Sequence, residues 1–291
     1  MPGDVAYMDY GGGEFQQFVK RHAAEYGLGV CGLSRRQPVR IESVKLKNCS
    51  FMWVWNGWHD NSCQFREICI RMGIPFAMCE WGLLPQDKTY SIDTNGFCGW
   101  SSLNGDLSWV TRADMKRMED ARVELRRQHP EREDGYVLVV GQVTSDTQIL
   151  YNTPYRSMQE YIDHVQAVFP GERLVIRPHP KESHGLVGRG GNAKISTAGS
   201  FMDALAGARS VVGLTSTCLA EAVVYGKPVL ALGDCPLRKH APRMHDRVAA
   251  AMLAMRVPRV GSPVSVLERF GLRPLGCEPV EPARMRVVEA A

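Results

Sequence analysis

From Tyr136 onward the chain alternates between unbroken apolar runs and amphipathic stretches. "YVLVVGQV" and "RLVIRPHP" have the continuous β-branched character of strands buried on both faces, and between them "SMQEYIDHVQAVF" repeats its apolar residues at helical spacing. A short strand at "AKIS", a helix at "SFMDALAGA", a strand at "SVVGLTS", a helix at "TCLAEAVVYG" stopping at Gly226, and a strand at "KPVLALG" continue the alternation. Strands and helices taken in turn predict a parallel sheet covered on both sides, the Rossmann-like arrangement.

The first half repeats this signature less regularly. "NCSFMWVWNG" predicts a strand and loop, "SCQFREICIRMG" a helix and "IPFAMCE" a strand. Between the halves, "TRADMKRMEDARVELRRQHPEREDG" predicts a charged helix followed by a polar break at residues 129–135, where the interdomain linker is expected. The expected fold class is α/β, two Rossmann-like half-domains facing each other across a cleft. They comprise residues 1–130 and 136–270, followed by a tail, residues 271–291, that packs back or is partly disordered. Ligands of such sheets sit beyond the carboxyl ends of the strands.

Composition narrows the class. At 291 residues, 44% hydrophobic and 23% charged, the chain has the length for two domains and the make-up of a soluble globular protein. The net charge of +4 is uneven: residues 1–135 hold 17 Lys and Arg against 18 Asp and Glu, and residues 136–291 hold 18 against 13. The densest basic run is "PLRKHAPRMHDR", residues 236–247, and a smaller cluster lies in "RRQPVRIESVKLK", residues 35–47. Each suits either a solvated face or a surface touching phosphate. Nine cysteines without a C-x-x-C pair argue for reduced, buried thiols and against zinc. With no leader pattern and no long apolar span, a cytoplasmic location is expected.

Candidate chemistry gathers at the predicted strand ends of the second half. His179 stands between two prolines that fix the backbone on both sides of the imidazole, with Arg177 and Lys181 adding positive charge. In "GLTSTCLAEA", Ser216 and Thr217 sit at a strand-to-helix junction, where hydroxyls and helix N–H groups form an anion site. Alone, each has a plainer reading, a helix cap or a loop histidine. Together, on adjacent strand ends of one sheet, they describe a phosphate pocket without a glycine-rich loop. Gln142 and Glu221 are placed beside it. No D-x-D occurs, so a metal-bridged diphosphate is not expected, and no cofactor is called for.

"RPHP", followed by "TSTCLAEAVVYGKPVLALG" and preceded by "VLVVGQVTSD", resembles the donor-binding half of capsule polysaccharide glycosyltransferases of the Kdo-transferase type, and more distantly bacterial sialyltransferases. The resemblance implies a GT-B-like fold with an acceptor-binding first domain and a second domain that binds a UDP- or CMP-sugar. It also implies that His179, Pro180, Ser216 and Thr217 hold the donor phosphate, with Gln142 and Glu221 toward the nucleotide and its ribose. In the first half "CEWGLLPQDKTYSIDTNGFCGW" is similar to the region where these families place an acidic-acidic-Gly motif, but Trp81 stands where the second acid belongs.

Glycosyl transfer needs a base for the acceptor hydroxyl and donors for the charge on the departing phosphate. Glu80, Asp93 and Asp146 are the candidate acids, in that order, with a cap or an ion pair as the alternative role for Glu80. Arg177, His179 and the helix tip would receive the phosphate. Trp55, Asn56 and Trp58, in a tryptophan-rich turn, are either core packing or an acceptor platform. With Arg238 and Lys239 they allow a DNA acceptor, a hydroxymethylated pyrimidine flipped out of its stack in phage-type DNA. An oligosaccharide acceptor in surface polysaccharide synthesis is the alternative, and a non-catalytic sugar-nucleotide binding protein is the third reading. The host compartment is then a bacterial or phage-infected cytoplasm.

Overall fold

In the computed structural model, which describes residues 3–9, 13–34, 36–56, 60–182 and 185–277, the chain opens with β1 (Asp4–Asp9), α1 (Gly13–Ala24), β2 (Val30–Ser34) and α2 (Val39–Glu42). A 3-10 turn at Ser43–Asn48 leads into β3 (Cys49–Trp55), followed by α3 (Asp60–Met72), β4 (Phe76–Trp81) and β5 (Thr89–Asp93). After α4 (Arg112–Gln128) come β6 (Tyr136–Val140), α5 (Thr147–Asn152), α6 (Met158–Val168), β7 (Leu174–Arg177), β8 (Ala193–Ile195), α7 (Phe201–Gly207) and β9 (Ala208–Gly213). The chain closes with α8 (Thr217–Tyr225), β10 (Val229–Ala231), α9 (Pro236–Lys239), α10 (His245–Ala254), β11 (Arg256–Pro258) and α11 (Val264–Arg269).

Two units result. The first takes the residues up to Gly96 together with those from Met255 onward, and the second is continuous from Phe97 to Ala254. The expected division at residues 129–135 therefore falls inside the second unit. Its physical basis is visible in α4, whose arginines cap the carboxyl end of α8: Arg122 Nε and Nη2 donate to the Val224 and Val223 carbonyls at 2.9 and 3.1 Å, and Arg126 Nε donates to Tyr225 at 2.8 Å. The polar break after α4 is tied down as well, with the Tyr225 hydroxyl donating to the His129 carbonyl at 2.6 Å. A charged helix reads as a linker in sequence because its partners here are carbonyl groups, which leave no apolar stripe.

The second unit is a five-stranded, wholly parallel sheet in the order β8-β7-β6-β9-β10. All five residues of β6 are buried, as a central strand requires. On one face Val137, Val139, Ile176 and Val212 pack with Tyr161, Ile162 and Val165 of α6. Each such side chain contributes roughly 1.5–3 kcal/mol on burial. Gly226 ends α8 at φ 96°, a left-handed cap that a residue with a Cβ adopts only under strain.

The first unit has a six-stranded sheet in the order β11-β5-β4-β3-β1-β2. β2, β1, β3 and β4 are parallel; β5 pairs antiparallel with β4 and β11 antiparallel with β5, so β5 alone runs against the rest. Its core joins Phe18, Trp53, Tyr90 and Phe51 with Val266 and Leu267 of the returning α11. The Rossmann-like expectation thus holds for the parallel part, with β5 and β11 added beside it through antiparallel pairing. Residues 271–277 of the expected tail begin with a turn in which Leu275 N–H donates to the Ser50 carbonyl at 2.9 Å; residues 278–291 lie outside the described residues. None of the nine cysteines, all among the described residues, is in a disulfide, and no helix among those residues is long and apolar enough to cross a membrane.

Candidate functional site

In the second sheet the chain builds outward from β6 to one side and then from β9 to the other, so the topological switch point lies between β6 and β9. Open parallel sheets bind ligands beyond the strand ends at that point. Gly141 follows β6 and donates its N–H to the Arg177 carbonyl at 2.9 Å. A Cβ there would sit 3.2 Å from Pro178 Cα and 3.4 Å from His179 N, so glycine lets the Arg-Pro-His-Pro segment cross close by. Gln142 then spans the switch point. Its Oε1 accepts the Thr215 N–H at 2.9 Å and its Nε2 donates to Thr215 Oγ1 at 3.2 Å. The amide expected to read the nucleotide is committed to the turn that precedes α8.

That turn presents the tip of α8. Ser216 is its N-cap, with Oγ accepting the Cys218 N–H at 3.2 Å, and Thr217 begins the helix half-buried. The helix end carries a partial positive charge of about half a unit, which favours an anion. Glu221 lies one turn further in. Burial pushes the Cys218 thiol up to about 12; the neighbouring Glu221 carboxylate adds to the shift and the Arg177 guanidinium opposes it. Both charges are therefore felt at the first turn of the helix.

His179 follows β7 on the same sheet edge and is half-buried. Its Nδ1 accepts the Lys181 N–H at 3.1 Å, which leaves the proton on Nε2. Burial, and then the Lys181 ammonium, hold its pKa below the usual histidine value, while Asp146 and Glu182 pull the other way. The ring is thus a neutral donor at neutral pH. The Glu182 carboxylate accepts the Thr144 N–H and so ties the loop after β6 to the loop after β7. Neither Glu182 nor Thr144 was singled out in the sequence, and the only trace of this closeness is Gly141.

Three expectations change here. His179 and the Ser216–Thr217 tip are not on neighbouring strands, because β6 runs between β7 and β9; they are two strand spacings apart, about 10 Å. Arg177 does not offer its whole fork to a ligand, since Nη1 and Nη2 donate to the Ala198 and Gly199 carbonyls at 3.0 and 2.7 Å. Asp146 is the N-cap of α5, its side chain accepting the Gln148 N–H at 2.9 Å.

In the first unit the carboxyl ends of the parallel strands β3 and β4 bring Asn56 and Glu80 together. Asn56 adopts φ 62°, a left-handed position that asparagine tolerates, and its N–H donates to the Cys79 carbonyl at 2.8 Å. Its Nδ2 donates to Glu80 Oε2, and the Trp81 N–H donates to Glu80 Oε1 at 3.0 Å. Both oxygens of the first candidate base are thereby oriented. Asp93 is elsewhere: β5 runs antiparallel to β4, so its carboxyl end points to the other edge, with Asp93 level with Met78. The buried Asp93 carboxylate accepts the N–H groups of Asn95 and Gly96 at 2.8 and 3.3 Å and closes a turn.

Trp55 is half-buried in an aromatic cluster, 5.1 Å from the Phe15 ring and 5.2 Å from that of Trp81. Trp58 lies outside the described residues. The basic run at residues 236–247 is drawn into its own unit. Arg238 Nη1 donates to the Leu232 carbonyl at 2.6 Å, Lys239 pairs with Asp234 at 2.9 Å, and Arg247 Nη1 donates to the Leu107 carbonyl at 3.1 Å. These contacts favour a structural role over a phosphate-binding one for that segment. Among the described residues no group of His, Cys, Asp and Glu is arranged to hold a metal ion.

The second unit's geometry has a counterpart in known sequences. Residues 100–236 match the capsule polysaccharide biosynthesis protein family. Over 107 residues, 34% of this chain, the sequence is 32% identical to Protein FixF of Sinorhizobium fredii (strain NBRC 101917 / NGR234), and the match spans 27% of that protein's length. Two solved structures share the fold. The beta Kdo 2,7 transferase of Thermosulfurimonas dismutans KpsC superposes with a TM-score of 0.64 at 20% identity, covering 91% of this chain and 98% of that one. The beta Kdo 2,4 transferase of the same protein gives 0.60 at 16% identity, covering 86% and 90%. Residues 100–236 thus resemble the capsule polysaccharide biosynthesis protein family, and the chain has the α/β fold of these two transferase structures, consistent with the expected GT-B-like class. These similarities favour the saccharide alternative and give no support to a DNA acceptor.

Proposed function

We propose that the protein is a glycosyltransferase of capsule-type polysaccharide assembly, moving a sugar of the Kdo class from a CMP- or UDP-linked donor to a saccharide hydroxyl. The observation that carries this reading is the flanking of Gln142, at one switch point, by a neutral Nε2–H donor on His179 and by the capped tip of α8. A donor phosphate held there is met by a helix end on one side and an imidazole N–H on the other.

In the reaction the bond from the sugar carbon to the donor phosphate breaks and a bond to the acceptor oxygen forms. Negative charge collects on the departing phosphate, where His179 and the α8 tip stabilise it; these donors serve without a bridging metal. Glu80, oriented by Asn56 and the Trp81 N–H, takes the acceptor proton. Ser216 and Thr217 bind, Gln142 positions them, and Arg177 adds charge from its anchored place.

The test is a mass-shift assay with CMP- and UDP-sugars and oligosaccharide acceptors, hydroxymethylated DNA serving as a second acceptor arm that stays unmodified. His179→Ala is expected to weaken donor binding and abolish transfer. Glu80→Gln is expected to leave donor binding within about twofold and to lower turnover by about 100-fold or more. Full transfer in both variants, or transfer to the DNA arm alone, overturns the proposal.

A further inference from the structure

The smaller basic cluster, in the segment between β2 and β3, takes no part in the site above. α2 and the 3-10 turn at Ser43–Asn48 lead into the amino end of β3, while α3 leaves the carboxyl end of β3 and returns to the amino end of β4. The segment and the last turn of α3 therefore lie at the amino edge of the parallel strands, the edge opposite Asn56 and Glu80. α2 packs against α3.

Four aliphatic side chains are left in water there. Ile41, Val44, Ile70 and Met72 are 50, 58, 62 and 42% exposed, although Val39 and Leu46 of the same segment are buried and anchor it. A lone exposed aliphatic is ordinary, whereas four on α2, the 3-10 turn that continues it and the end of α3, all at one edge, form a patch. Residues 36–48 and 70–73 also carry Arg36, Arg40, Lys45, Lys47 and Arg71 against a single acid. That acid, Glu42, is buried and held by Lys45 at 2.8 Å and by the Ser34 N–H at 2.9 Å. Among the described residues Arg36, Arg40 and Lys47 form no ion pair, so their charge is available.

We infer that this edge is a docking surface for an anionic phospholipid bilayer. The aliphatic side chains enter the boundary between headgroups and acyl chains, and the arginines and lysines lie against lipid phosphates. Nucleic acid is the poorer fit, because the patch has no aromatic side chain to stack on bases and pairing with phosphates alone would leave Ile41, Val44 and Ile70 in water. The attachment is peripheral and places the strand edge with Glu80 on the side away from the lipid.

The experiment is co-sedimentation of the full chain with phosphatidylcholine vesicles, with and without phosphatidylglycerol, at low and raised salt. The chain is expected to bind only the anionic vesicles, and less so as salt rises. The double variant Ile41→Asp, Val44→Asp is expected to cut partitioning about tenfold or more. Arg40→Ala and Lys47→Ala should each cut it about fivefold. Thermal unfolding confirms that these surface variants are folded, and the pair Arg238→Ala, Lys239→Ala, in the other basic segment, should leave binding unchanged. Absence of binding, equal binding to neutral vesicles, equal loss in the Arg238 and Lys239 pair, or displacement by duplex DNA overturns the inference. Vesicle binding is read without donor or acceptor, so its outcome is independent of the transfer reaction.

Discussion

Two histidines of this chain are held neutral for different ends. His179 is half-buried, its Nδ1 taken by the Lys181 N–H, and it keeps one donor for a ligand. His22 is wholly buried, accepts the Trp53 Nε1–H at 3.0 Å, and has its pKa lowered by burial to about 3. The folded protein therefore leaves His22 unprotonated across a range in which the unfolded chain, titrating near 6.5, takes up a proton. Below pH 6.5 the unfolded state binds more protons, so stability falls as pH drops toward 3. His22→Gln is expected to be less stable at pH 7 but to lose this dependence. In denaturant titrations at pH 7 and pH 5 the difference between the two should shrink by about 2 kcal/mol relative to the parent. An unchanged difference would mean that other groups set the acid limb.

At the scale of the element, the α8 tip is the part most exposed to a single change. Ser216 caps it, and Gln142 holds the Thr215 turn in front of it through both ends of its amide. Ser216→Ala is expected to cost about 1 kcal/mol of stability. Gln142→Ala frees the turn and should lower affinity for a nucleotide donor about tenfold. Gln142→Glu, which keeps an acceptor for Thr215 N–H but sets a negative charge where the phosphate belongs, should lower it further. Calorimetric titration with a nucleotide sugar checks the ranking, and parent-like affinity in the Glu variant would remove the phosphate from this place.

For the whole molecule, the second unit is continuous from Phe97 to Ala254 and contains its own five-stranded sheet. A fragment with those bounds is expected to unfold cooperatively on its own, as followed by circular dichroism; a non-cooperative melt would show that it depends on the first unit. The strands and helices of this unit are legible in the sequence because wholly parallel sheets demand unbroken apolar strands and amphipathic helices. "YVLVV" and "MQEYIDHVQAV" satisfy that demand almost residue for residue. The first sheet is less legible. Its antiparallel strand β5 and the distant β11 leave no local mark of direction, which is why Asp93 belongs to a different edge from the one its position after a strand suggests. The unit boundaries were hidden for a related reason, since arginine-to-carbonyl contacts on α4 look like solvent exposure until the carbonyls are seen. Of the candidate site, the proline-flanked histidine and the serine cap were readable as residue types. The bridging amide of Gln142 and the Glu182 carboxylate on the Thr144 N–H depend on partners far apart in the chain and carry no short motif.

β11 enters the first sheet only after the entire second unit has been passed, pairing Arg256, Val257 and Pro258 with Ser91, Tyr90 and Thr89. On the ribosome, β5 must therefore wait with one row of peptide groups unpaired while the inserted segment is made, roughly ten to thirty seconds at ordinary elongation rates. Such a row is an invitation to neighbouring nascent chains. The last strand, short and ending in a proline, arrives as the cover that withdraws the invitation.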